Sequence, residues 1–331
     1  MFDIKRLITL EMNMNRILST LHGKTVQGII KQKSFEGVII MKIGVSSYSL
    51  SRAINDGELD VFSAIEFIKS IGGEHMEVCP GAIGTFESPD DPRIEQIKKA
   101  AADAGIDLSS YTIGANFLPA EGEDAVEHKK KEVERLKKQV EVAAAFGVKF
   151  MRHDVAWRPI EQTSYDQFEE DLAFVVDACQ EVADYAAQFG ITTSVENHGY
   201  HFQGSERVYR LVKLVNRDNF RTTMDVGNFA CADEDSVAAV SNNISIASFI
   251  HFKDMLIRKN SVCPAGFFPT RSRKKILRGT ITGHGDIDLK TCAEIIKASG
   301  YDGYISIEFE GPEVCKGAVE TSINNVKALF A

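Results

Sequence analysis

The chain has 331 residues, with 38 lysines and arginines against 47 aspartates and glutamates, and a formal net charge of −9. That balance excludes the broad basic face of a phosphate-backbone binder, though not a locally basic pocket. Hydrophobic residues make up 44% and charged residues 26%, which is ordinary for a globular chain long enough to bury a large core.

The opening stretch MFDIKRLITLEMNMNRIL mixes acids with its basic residues and has no long apolar run. It reads neither as a signal peptide nor as a membrane helix. Residues 1–40 are expected to be an N-terminal extension or an upstream non-native start. An ordered helical arm used in assembly is the alternative. Met41 begins MKIGVSSYSL, an apolar strand running into a polar loop, and residues 41–331 are expected to form one domain.

From there short β-rich runs alternate with helical patterns. Ile43–Ser46 is followed by a helix over Val61–Ser70, and His75–Val78 by one over Arg93–Ala104. Asp107–Thr112 leads to Ala125–Phe146, and Lys149–Arg152 to Tyr165–Phe189. Thr192–Glu196 leads to Ser205–Val215, and Thr222–Asp225 to Ser236–Asn243. Ser248–Phe252 and Tyr304–Glu308 close the series, with helices over Leu289–Ala298 and Ala318–Phe330. Glycines such as Gly105 and Gly147 sit where a left-handed residue stops a helix. Eight such units imply parallel strands with crossover helices, closed into a single α/β barrel of the (β/α)8, or TIM, type. An open doubly wound sheet is disfavoured because no G-x-G-x-x-G follows the first strand.

In such a barrel the chemistry sits at the C-terminal ends of the strands. Strand five ends SVENHG with Glu196, and strand six ends TMDVGN with Asp225. Strand seven ends FIHFKD with His251, and strand eight ends SIEFEG with Glu308. An acid at the end of an apolar run is costly to bury unless it is paired or binds a metal. Three such acids and a histidine, on successive strands, would converge at the barrel mouth. One carboxylate alone reads equally well as a salt-bridged strand end. The set of oxygen and imidazole donors suits one divalent ion, Mn²⁺ first, or Mg²⁺, Co²⁺ or Zn²⁺, with positions open to substrate. None of the six cysteines forms a C-x-x-C pair, so a closed zinc knuckle or redox motif is not indicated. Six thiols without a secretory signal point to a reducing compartment, the cytoplasm.

The stretches ENHG, MDVGN, HFKD, GHGDID and IEFEG resemble those of the sugar phosphate isomerase/epimerase family, the xylose-isomerase-like TIM barrels. The resemblance runs from about Met41 to Ala331. It implies that Glu196, Asp225, His251 and Glu308 hold the metal and that Glu196 and Glu308 also act as acid and base on opposite faces of the substrate. It implies proton abstraction beside the carbonyl of a keto-sugar or glycoside, isomerase or epimerase in type. A lyase reading is the alternative. There the same charge expels a β-substituent, as in an inosose dehydratase or a subunit that releases an aglycone from a 3-oxo-glycoside. A third reading, an endonuclease IV-like enzyme, is disfavoured by the acidic charge and by the lack of histidines at the ends of strands one to three. No nucleic-acid or membrane partner is expected. Family analogy suggests a homo-oligomer, with a second subunit as a further option.

Other candidates surround this set. His153, at the end of strand four, is expected either to act as base or bind a sugar hydroxyl, or to be satisfied structurally. His198 lies two residues past Glu196 and would face the same side of a continuing strand. His198, His284 in GHGD, Lys253 beside His251 and the single tryptophan, Trp157, are the expected substrate contacts. Packing is an equal reading for Trp157. The stretch from Met255 to Gly285 reads as a long loop carrying Phe267, Phe268 and the basic run RSRKKILRG. It is a lid or docking surface, or simply a solvated charge run.

Overall fold

A computed structural model describes residues 41–259 and 262–331. The expectation for residues 1–40 lies outside the described residues. Eight parallel strands close into a barrel. They are β1 (Lys42–Ser46), β2 (His75–Val78), β3 (Asp107–Ile113), β4 (Phe150–His153), β5 (Thr192–Glu196), β6 (Phe220–Asp225), β7 (Ala247–Phe252) and β8 (Tyr304–Ile307). Closure falls at β1, where Val45 pairs with Ile307 on one side and Met76 on the other. Eight helices cross over between strands and after the last: α1 (Val61–Ser70), α2 (Pro92–Ala104), α3 (Ala125–Phe146), α4 (Tyr165–Ala187), α5 (Ser205–Val215), α6 (Ser236–Asn243), α7 (Leu289–Ser299) and α8 (Cys315–Phe330). No helix among the described residues is long and apolar enough to cross a membrane.

Local chemistry sets the helix ends. Asp60 caps α1 with a reciprocal bond to Ser63, and Asp124 caps α3 by accepting from the Glu127 amide at 2.8 Å; each such cap contributes about 1 kcal/mol. α3 stops at Gly147, whose φ of 79° lies in the left-handed region. The outward strand faces, including Val45, Met76, Met151, Ile250 and Ile305, pack under the helices as one apolar core.

The inward faces stack in layers. At the bottom, His75 contacts Tyr304 and Phe249 edge-on, with Phe150 alongside. Gly44 makes the room: a Cβ there would stand 2.1 Å from the His75 carbonyl and 2.6 Å from its ring. The His75 ring is satisfied on both nitrogens, Nε2 donating to the Ile305 carbonyl at 2.9 Å and Nδ1 accepting from Ser109 at 2.8 Å. One layer up, Glu77 accepts from Thr112 and, at 3.3 Å, from Ser306. The layer above that is the site.

The region after β7 differs from the expected loop. Asp254–Arg258, Phe268–Pro269 and Ile276–Thr280 form a three-stranded antiparallel sheet, Ile276–Thr280 in the middle. Leu277 and Met255 are buried beneath it with Ala230 and Cys231. The basic residues take partners around its rim: Arg273 pairs with Glu161, the Arg271 amide donates to the Cys231 carbonyl at 2.8 Å, and the Arg278 guanidinium lies over the Phe267 ring.

Candidate metal centre and active site

Strand register decides which side chains reach the barrel interior. Glu196 lies opposite Thr223, and Asp225 opposite His251. All four of these side chains are buried. Glu308 follows the last residue of β8 on the same inward phase as Ser306. The result is a cage in which one ligand atom each from Glu196, Asp225, His251 and Glu308 lies within 4.8 Å of the others.

His251 is oriented from behind. Its Nε2 donates to both oxygens of Glu77, at 3.1 and 3.0 Å. Nδ1 is left facing the cage, 3.6 Å from Glu196 Oε1 and 3.6 Å from Glu308 Oε2, with no hydrogen-bond partner. Asp225 Oδ2 is likewise buried without a hydrogen-bond partner, while Asp225 Oδ1 accepts from the amides of Gly227 and Asn228 at 2.7 and 2.9 Å. A buried imidazole nitrogen and a buried carboxylate oxygen aimed at one point, with two more carboxylates beside them, fit a divalent cation. The donors are oxygen and nitrogen only, which allows Mg²⁺, Mn²⁺, Co²⁺ or Zn²⁺.

Two cations border the cage. Arg152 lies 2.7 Å from Glu196 Oε2 and 2.9 Å from Asp154. Asn228 donates to Glu196 Oε1 at 2.9 Å. The Lys253 ammonium lies 2.6 Å from Glu308, 3.3 Å from Asp225 and 3.2 Å from Glu310. Burial pulls the Glu308 carboxyl upward, but Lys253 and His251 outweigh it and hold it well below the usual range. Burial also dominates at Asp225, where Lys253 offsets only part of it and the carboxyl is pushed up to about 7. For His251, burial opposes the charge and the Glu77, Glu308 and Glu196 carboxylates overcome it, raising its pKa well above normal. A metal entering the cage would displace that proton.

The cage opens into a cavity of about 410 Å³ bordered by Tyr48, Arg152, His198, Lys253 and Glu310. His198 Nδ1 stands 3.5 Å from Asp154. Trp157 does not border this cavity; it lines a smaller cleft alongside. Two sequence expectations need correction. His153 pairs across the sheet with outward-facing Ile113, whereas Arg152 pairs with inward-facing Thr112. The His153 ring therefore lies in the helix layer, edge-on to Phe117 and near Phe220, with Nδ1 bonded to the Asp154 carbonyl at 2.8 Å. His284 is exposed and lines neither pocket. Its flanking glycine amides, Gly283 and Gly285, turn inward to donate to Asp254 at 2.9 and 2.7 Å, leaving the imidazole outside.

The sequence reading passed over Glu77, and left Arg152 and Asn228 without roles. For Glu77 the signal was present, since an acid two residues past His75 at the end of an apolar strand is the same anomaly that drew notice to Glu196.

A closed parallel barrel with an acid- and histidine-lined mouth defines a TIM-barrel protein whose mouth could hold a metal ion. The profile of the xylose isomerase-like TIM barrel family matches residues 65–328, and the chain belongs to that family. It is 25% identical over 143 residues to inosose dehydratase of Geobacillus thermodenitrificans, covering 43% of this chain and 48% of that one. It is 25% identical over 155 residues to inosose isomerase of Halalkalibacterium halodurans, covering 46% and 51%. The matches thus span about half the length of these relatives. In fold it is similar to the crystal structure of IOLI protein with a bound zinc atom, at a TM-score of 0.66 and 18% identity, covering 88% of this chain and 98% of that one.

Proposed function

We propose that the barrel, residues 41–331, is a divalent-metal-dependent enzyme that removes a proton from the carbon beside the carbonyl of a keto-sugar and returns it, as an isomerase or epimerase. One observation carries this reading. Four strand ends place ligand atoms within 4.8 Å of one another, and Asp225 Oδ2, His251 Nδ1 and Glu308 Oε2 are buried there without hydrogen-bond partners.

A divalent ion held by Glu196, Asp225, His251 and Glu308, manganese by preference, would polarise the carbonyl and make the neighbouring proton acidic. The chain supplies the rest. Glu196 is kept ionised, since Arg152 and His251 outweigh its burial, and is suited to take the proton. Glu308, across His251 from it, is suited to act from the other side. The charge left on the substrate runs onto the carbonyl oxygen, and Lys253 stands by Glu308 and Glu310 as a donor to the sugar's oxygens. His198, at the cavity wall, is placed for a hydroxyl contact. The inosose dehydratase and isomerase relatives support an inosose or similar polyhydroxy ketone as substrate. The dehydratase names also favour the lyase as second reading, in which a β-hydroxyl leaves instead of the proton returning. We place the enzyme in the cytoplasm, as a homo-oligomer.

Incubation of the manganese-loaded protein with an inosose in D₂O tests the proposal. Deuterium at the α-carbon with the carbon skeleton intact supports isomerisation or epimerisation, and a dehydrated enone product supports the lyase. Neither exchange nor product, across inososes and ketohexoses, would sink both.

A further inference from the structure

We propose that the cleft beside the cage is a second subsite, built for an uncharged aromatic ring attached to the sugar, so that the site takes aryl-substituted polyhydroxy ketones more tightly than unsubstituted ones and in preference to phosphorylated ones. This rests on the functional reading above and narrows its substrate class.

The cleft has a volume of about 230 Å³ and shares two wall residues, His198 and Glu310, with the main cavity. A sugar seated at the cage with a substituent directed past those two residues places it in the cleft. The remaining walls are aromatic and apolar, chiefly Trp157, Tyr200, Phe268 and Met255. Trp157 is 59% exposed. An indole left open at the mouth of a pocket is a surface on which a ring can stack, offset or edge-on, with a gain beyond the area it buries.

The Tyr200 wall is fixed in place. Tyr200 has a φ of 65°, a left-handed conformation that is strained in a bulky residue. It is held there by Gln203, which accepts its amide at 2.6 Å, and by its own hydroxyl, which donates to the Pro269 carbonyl at 2.7 Å. That second bond ties the loop after β5 to the inserted sheet and joins the two sides of the cleft.

Charge selects the occupant. Among the described residues no lysine or arginine lines the cleft, and the one carboxylate there is Glu310. A phosphate or carboxylate there would meet the Glu310 carboxylate, whose own partner Lys253 is already shared with Glu308 and Asp225. A neutral ring meets faces it can stack on.

Trp157 is the single tryptophan, so its emission reports on the cleft directly. The full-length, manganese-loaded protein is titrated with phenyl β-D-glucopyranoside and with methyl β-D-glucopyranoside, neither of which has a carbonyl to react. The expected result is a shift of tryptophan emission with the phenyl glycoside only, and affinity for it about tenfold higher. Phe268→Ala should bring the phenyl glycoside down to the affinity of the methyl one. Equal affinities, or an unchanged emission, in protein that still takes up manganese and still exchanges deuterium would overturn the cleft assignment and leave the proton-transfer reading standing. A preference for glucose 6-phosphate over glucose would overturn it as well. Failure to bind manganese at all would remove both.

Discussion

Glu77 accepts from Nε2 of His251 on both of its oxygens, at 3.1 and 3.0 Å, from the side of the ring facing away from the cage. The contact holds the imidazole with its other nitrogen toward Glu196 and Glu308. Partners of this kind typically change metal affinity by about 10- to 100-fold. Glu77→Gln is expected to weaken manganese binding by that factor, read by calorimetric titration, while circular dichroism stays native. Undiminished affinity would show that Glu77 merely fills space.

The cage itself predicts one ion per chain. Asp225→Ala and His251→Ala should each abolish stoichiometric manganese uptake, measured by elemental analysis after dialysis. Retention of a full equivalent by both variants would mean that the ion sits elsewhere.

Arg152 and His153 are adjacent in sequence and opposite in placement. Arg152→Met leaves the buried Glu196 without its charge partner, which is 2.7 Å away. Deuterium exchange should fall at least 100-fold, as for loss of a group that orients the reacting carboxylate. His153→Leu removes one bond to the Asp154 carbonyl and should cost about 1 kcal/mol of stability while exchange persists. The reverse pattern would restore His153 as the base.

His75 gives the pH dependence. Its burial among aromatic rings lowers its pKa to about 4 from the ordinary 6.5. Between those values the unfolded chain binds a proton that the folded one refuses, so stability rises with pH across that window. It is complete above about pH 6.5 and falls as pH drops toward 4, by on the order of 3 kcal/mol in total. Thermal melts from pH 7 to 4 should show this loss in the wild type and a shallower slope in His75→Gln. Parallel slopes would refute it.

Much of the barrel was legible because parallel strands buried on both faces read as short apolar runs, with glycines such as Gly147 ending the helices between them. The four cage residues were legible because charge at the end of such a run has few inexpensive explanations. Three things were not legible. β4 starts at Phe150, one residue later than the apolar pattern suggested, and nothing in the pattern marked which of Arg152 and His153 faced inward, since one step along a strand reverses the face. Glu77 meets His251 across 174 positions of sequence, a separation no local pattern spans. The inserted sheet was hidden because its strands are short and its central one follows directly on a basic run.

Gly285 offers a test of the rim. A Cβ there would stand 2.0 Å from Asp254 Oδ1 and 2.7 Å from the Met255 carbonyl. Gly285→Ala should lower stability by about 2 kcal/mol, in the range of overpacked interiors, seen as a reduced urea midpoint. Glu196, which lies outside this contact, should keep its place in the cage, so manganese uptake should survive in the folded fraction.

Asp254 gathers the amides of Met255, Gly283 and Gly285 around one carboxylate. The aspartate of HFKD and the glycines of GHGD are therefore two halves of a single clasp that fastens the inserted sheet to the barrel. Such a clasp is indifferent to what happens in the cavity next door. Its presence in a chain testifies to how the doorway is framed, and says nothing of the guest, for which the cleft walls proposed above, Trp157 and Phe268, lie outside those letters.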